Sequence, residues 1–142
     1  MEWEFIPYRL LLSVLISIAL GQTIKFLMYE FHNLKWNFNI LRSDGGTPSG
    51  HAATVSSLTT ALLFETGLSL IFFTAFVFSL IIMRDACGVR LDVQKHAKLL
   101  NSLGKSKKYG KFRERVGHTR FQVAAGASIG VAVAIMVYII GG

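Results

Sequence analysis

Acidic residues are in short supply. Eight Asp and Glu face fifteen Lys and Arg, which leaves a formal charge of +7. The few carboxylates form no cluster with divalent-ion geometry, so neither a resident metal nor any other cofactor is expected. Cysteine is nearly absent. Cys87 stands alone, which excludes an internal disulfide and any CxxC-type metal site; in an apolar setting it reads as a small buried hydrophobe. No solenoid-length repeat and no low-complexity tract interrupts the 142 residues, a length suited to one domain over residues 1–142. Basic residues at the start are lacking too: Met1-Glu2-Trp3-Glu4 is acidic where a cleavable signal would be basic, so the first apolar stretch is expected to stay as a membrane helix.

Apolar residues are what the chain has in excess. They make up 52% of the sequence, and the mean hydropathy is +0.49. A chain both greasy and basic points to a membrane protein with its cations gathered in loops. Nucleic-acid binding is the other reading of such a charge, but the basic residues are not interleaved with an aromatic-rich soluble surface.

Four apolar segments follow one another: Tyr8 to Phe31 with an unbroken core at Leu10 to Gly21, His51 to Phe64, Leu68 to Met83, and Phe121 to Ile140. A straight span needs about 20 residues, so the second is short unless its start is buried among the other helices. The tight connection Glu65-Thr66-Gly67 predicts a helical hairpin of the second and third segments. These elements predict an all-α membrane bundle of about four transmembrane helices. Such a thin bundle leaves room for a homodimer.

Two polar stretches, Phe31 to Gly50 and Arg84 to Gly117, then emerge on one face. From Arg84 to Arg120 there are eleven Lys/Arg and three Asp/Glu, whereas the opposite face holds Glu2, Glu4, Glu65 and Arg9. The positive-inside rule assigns the two long loops to the cytoplasm and the chain to the cell membrane. The Lys105 to Arg115 run is read as serving this orientation, or as a ligand site. On the fourth segment Gly126-x-x-x-Gly130 is a close-packing signal that carries no chemistry of its own.

Chemistry concentrates on that same face. In Gly45-Gly46-Thr47-Pro48-Ser49-Gly50-His51 the glycines free the backbone, and the stretch opens a helix, where unpaired N–H groups favour an anion. A phosphate held by Ser49 and the N–H groups near Gly50 would sit within reach of His51; a plain turn with a Ser N-cap is the structural alternative. His118 begins the fourth segment, with Gln122 four residues on and so on the same helical face. A nucleophilic imidazole needs an acceptor for its other nitrogen, and the Gln122 carbonyl is one. Lys25, with Gln22 on its face of the first helix, is either a functional cation or a side chain snorkelling to the interface. Arg84-Asp85 and Arg90 follow the third segment, and Arg42 precedes the glycine loop. Two histidines, a glycine loop and several cations supply what phosphoryl transfer without a metal requires.

Pro48-Ser49-Gly50-His51, with His118, Gln122, Val123, Gly126 and Gly130 downstream, resembles the central and last motifs of the type-2 phosphatidic acid phosphatase superfamily. Gly45 to His51, Asp85-Ala86-Cys87-Gly88-Val89-Arg90, Leu100-Asn101 and Gly117-His118-Thr119 resemble more closely its divergent small branch, related to acid phosphatases and vanadium-dependent haloperoxidases. The resemblance runs from Gln22 to Gly130. It implies hydrolysis of a lipid phosphomonoester such as phosphatidylglycerophosphate or phosphatidic acid. His118 would be the nucleophile and His51 the general acid. Ser49 and Gly50 would hold phosphate oxygens, with Lys25 and Arg90 as the cationic clamp and Arg42 as a further candidate. The superfamily's K-x6-R-P motif is missing, as is the Ser-Arg pair before His118, near which Arg113 lies at another spacing. Gln122 stands where an acidic residue is expected, so Asp85 or Glu114 is the candidate acid in support. A polyprenyl diphosphate is the alternative substrate, and a non-catalytic protein binding anionic head groups the alternative class.

Overall fold

Five helices make up a computed structural model that describes residues 7–33, 45–104 and 110–141. We number them α1 (Tyr8–Asn33), α2 (Gly50–Thr66), α3 (Leu70–Cys87), α4 (Val89–Ser102) and α5 (Arg120–Ile140). The described residues contain no strand. Three stretches are long and apolar enough to cross a bilayer: Tyr8–Phe31, Leu70–Ser102 and Arg120–Ile140. Their large side chains, Leu15, Phe73, Ile81 and Ile139 among them, are exposed, as befits surfaces that meet lipid.

The 17-residue α2 is the axis of the bundle and packs against α1, α3 and α5. Its Ala/Ser/Thr composition explains this. Ala52, Ala53, Ser56, Ser57, Thr59 and Ala61 are buried, and small residues let helix backbones approach closely in a membrane. Gly126 and Gly130 of α5 complete the fit. A Cβ at Gly126 would strike the Ser49 carbonyl, and one at Gly130 the Ala53 carbonyl and the Ser56 hydroxyl. Hydroxyls fasten the helices sideways: Ser17 donates to the Ala53 carbonyl at 3.0 Å, Ser56 to that of Ala127 at 3.0 Å, and Thr59 pairs with Ser79 at 2.7 Å. Such bonds are worth about 0.6 kcal/mol each in a membrane, so they set register more than stability.

The hairpin forms where the sequence predicts it. Gly67, at φ 62°, closes α2, and Ser69 caps α3 by accepting from the Phe72 N–H. Three expectations need correction. The polar stretch after Met83 is largely helical: α3 continues to Cys87, so Arg84 and Asp85 lie in its last turn, and α4 follows after Gly88 alone. His118 does not begin a helix. Thr119 is the N-cap of α5, and Gln122 sits at the third position of its capping box. His118 and Gln122 therefore do not share a helical face, although they are neighbours for another reason. Arg42 lies outside the described residues.

Candidate active site

The chain from Gly110 to Thr119 contains no helix, yet it is pinned along its length. Asn101 of α4 donates to the Phe112 carbonyl and to the Glu114 carboxylate and accepts from the Phe112 N–H. Gln94, two turns earlier on α4, accepts from the N–H groups of Val116 and Gly117. Gly117 passes so close to Leu91 and Arg90 that a Cβ would collide with their backbone. The His118 N–H then donates to the Ala86 carbonyl at 3.0 Å. The imidazole is thereby fixed beneath the glycine loop, which is itself tied across by the Gly45 N–H to the Arg115 carbonyl at 3.3 Å.

His118 is 1% exposed. Its Nδ1 lies 3.0 Å from the Gly46 carbonyl oxygen. A carbonyl only accepts, so Nδ1 carries the proton and neutral His118 has its lone pair on Nε2. That Nε2 is buried and has no hydrogen-bond partner. Burial pushes the imidazolium pKa below its ordinary 6.5, against the opposing pull of the Gly46 carbonyl; the nearby charges of His51 and Lys25 lower it further. Gly46 reaches this position with φ +120°, a backbone conformation that L side chains rarely adopt.

Gln122 does less for His118 than its spacing predicts. Its side-chain carbonyl accepts from the Thr119 N–H at 2.9 Å, and its amide donates to the Thr47 hydroxyl at 3.0 Å. It ties α5 to the glycine loop, and the Gly46 carbonyl is the acceptor at Nδ1. Ser49 is the N-cap of α2, fully buried, with its hydroxyl accepting from Ala52 N–H. Its own N–H donates to the Gln122 main-chain carbonyl at 3.0 Å, so that amide is already engaged. Gly50 begins the helix, beside the Gln22 amide nitrogen, and the Gln22 carbonyl oxygen is buried without a partner.

Two clefts meet this region. The larger, about 610 Å³, is lined by Lys25, Gly46, Thr47, Gln94, Arg115 and Gln122 among others. Lys25 is 5% exposed and lays its methylenes on Gly46, so it is a buried cation and not a snorkelling one. Arg115 stacks its guanidinium 4.9 Å from the centre of the Tyr29 ring. The smaller cleft, about 320 Å³, is lined by His51, Ile81, Ile82, Asp85, Ala86 and Arg90. Here Arg90 is bonded to Asp85 at 2.7 Å, and His51 is exposed. The site residues read from the sequence thus fall on two sides: Lys25 and Gln122 with the larger cleft, His51, Asp85 and Arg90 with the smaller. Three contributions had no recognisable sequence signal: the Gly46 carbonyl, the Thr47 hydroxyl, and Gln94; Asn101, quoted in the resemblance, turns out to hold the loop.

An all-helical membrane protein that gathers two histidines, a glycine loop and buried positive charge at one end is the class that fold and site define. The sequence pattern of the divergent PAP2 family matches residues 7–133, and the chain belongs to that family. The uncharacterized membrane protein YuiD of Bacillus subtilis (strain 168) is 31% identical, over 85% of this chain and 88% of that protein. No solved structure matches.

Proposed function

We propose that residues 1–142 form a single membrane-embedded phosphatase domain that hydrolyses a lipid phosphomonoester on the cytoplasmic side of the cell membrane. What carries the reading is the state of His118: protonated on Nδ1, bare on Nε2, and biased by burial toward the neutral form. That is the form a nucleophilic imidazole needs.

In the first step His118 Nε2 attacks phosphorus, the P–N bond forms, and the P–O bond to the lipid alkoxide breaks. His51, as imidazolium, gives the departing oxygen its proton. In the second step the neutral His51 takes a proton from water, the resulting hydroxide attacks phosphorus, and the P–N bond breaks to release phosphate and His118. Lys25 and Arg90 offset charge on the equatorial oxygens. Ser49 and Gly50 shape the loop over them, supported by Gln22, Gln122 and Asp85. The buried Nε2 must be uncovered for attack. Phosphatidylglycerophosphate and phosphatidic acid both present such a phosphomonoester.

The test is acid-quench trapping with phosphate-labelled phosphatidic acid in the presence of EDTA. The expected product is an alkali-stable, acid-labile phosphoprotein that His118→Ala does not form. Turnover by His118→Ala at the wild-type rate, or activity that vanishes on chelation and returns with Mg²⁺, overturns the mechanism.

A further inference from the structure

The helix α4 has a face that the bundle does not use. Together α3 and α4 run 33 residues, roughly 50 Å at 1.5 Å per residue, against a hydrocarbon core of about 30 Å. The surplus is α4, which carries Arg90, Asp92, Lys95 and Lys98 and so is excluded from the core. It either stands in water or lies at the membrane surface.

Its periodicity decides between these. Arg90, Gln94, Ala97 and Asn101 face the protein, with Ala97 buried and Gln94 and Asn101 bonded to the 112–117 segment. Val89, Val93, Leu100 and Leu103 recur at helical spacing on another side, and all four are exposed. His96, an amphipathic ring, lies midway along them and is exposed too. Lys95 and Lys98 lie on other sides, Lys95 paired with Asp92 at 2.7 Å and Lys98 at the edge of the larger cleft. An exposed apolar stripe on a helix whose remaining faces are charged or turned to the protein is the pattern of a helix lying in the membrane interface. The stripe also begins two residues after a membrane-spanning helix ends, so the bilayer is the nearest apolar phase available to it.

We propose that α4 is an interfacial helix whose Val89–Val93–Leu100–Leu103 stripe seats in the leaflet on the basic side of the protein. The occupant is the bilayer surface itself, independent of the bundle's catalytic reading. Seating has a consequence for the site. An adjacent side of α4 holds the segment that ends at His118, so a seated α4 gives that segment a fixed platform.

The test uses a reporter of depth and needs no catalysis. On a Cys87→Ser background, Leu100→Cys and Lys95→Cys are each labelled with an environment-sensitive fluorophore and the whole protein is placed in nanodiscs containing phosphatidylglycerol. The label at 100 is expected to be quenched by lipids with a nitroxide high on the acyl chain, and by aqueous iodide on the order of threefold less than the label at 95. Equal iodide quenching at 100 and 95 overturns the proposal. A second pair guards against a local effect of labelling: Val93→Glu should remove nitroxide quenching from a label at Leu103→Cys, and unchanged quenching there also counts against seating.

Discussion

The two clefts beside His118 differ in what they offer a substrate. The larger is lined by polar backbone, amide side chains, the cations Lys25, Lys98 and Arg115, and the carboxylate of Glu114. The smaller has half the volume, one wall of Ile81 and Ile82 from a membrane-facing helix, and one exposed histidine. A phosphate with most of its oxygens charged fits the first description; a leaving glyceryl oxygen with an acyl tail fits the second. The difference teaches that neighbours in one short motif can be turned to quite different surroundings. His51 and Ser49 are two residues apart, yet one faces a cleft and the other is sealed in the packing of α2 against α5.

The comparison breaks most sharply at His51. If its cleft takes the leaving group, His51→Ala should lower turnover of a lipid phosphate by about 10²–10⁴-fold. The loss should shrink greatly for p-nitrophenyl phosphate, whose leaving group departs without a proton. An equal loss with both substrates would move His51 out of that role. Lys25→Met probes the other side. Removing a charge-assisted contact worth about 1.5–3 kcal/mol should weaken vanadate inhibition by roughly 10- to 150-fold, measured as an inhibition constant on p-nitrophenyl phosphate. Arg90→Met should have a smaller effect on that constant, because Arg90 already faces Asp85. The reverse ranking would exchange the roles of the clefts.

Acid offers a subtler probe. Burial holds His118 below its usual 6.5, so below that pH the unfolded chain binds more protons than the folded one. The contribution of His118 to stability is therefore complete above about pH 6.5 and is lost as pH falls through the lower folded value. The acid limb of kcat/KM, which requires neutral His118, should likewise lie below 6.5; a limb at or above 6.5 would contradict the burial seen here. The smallest effect is expected at Asp85→Asn. Its ion pair with Arg90 is partly exposed, and such pairs contribute about 0–1 kcal/mol, so thermal unfolding of the variant in detergent should shift little. A large loss of stability would show that the pair braces the smaller cleft.

Much of this was legible in the sequence where one physical signal dominated. Apolar runs marked α1, α3 and α5; Glu65-Thr66-Gly67 marked the hairpin; Ser49 announced its own cap. Gly126 and Gly130 were recognised as packing residues, although nothing in the spacing said that the first would press on Ser49. The failures share a cause. The charges of α4 signal topology and mask the helical period of the apolar residues 89, 93, 100 and 103 between them. Gln122 was paired with His118 by helical spacing, but the helix begins only after Thr119, whose capping box occupies the Gln122 carbonyl. The actual acceptor is a main-chain carbonyl 72 residues away in sequence, and no residue type encodes that.

An orienting group that belongs to the peptide backbone behaves unlike a side chain in heredity as well as in chemistry. No substitution at Gly46 can erase its carbonyl, so an alanine scan would attribute the damage there to the strained φ and miss the contact altogether. A carbonyl has no proton to exchange in the working range, so the tautomer of His118 is held at pH values where a carboxylate in the same place would itself be titrating. If His118 is the nucleophile, position 122 is relieved of an acidic role, and Gln there is no argument against activity.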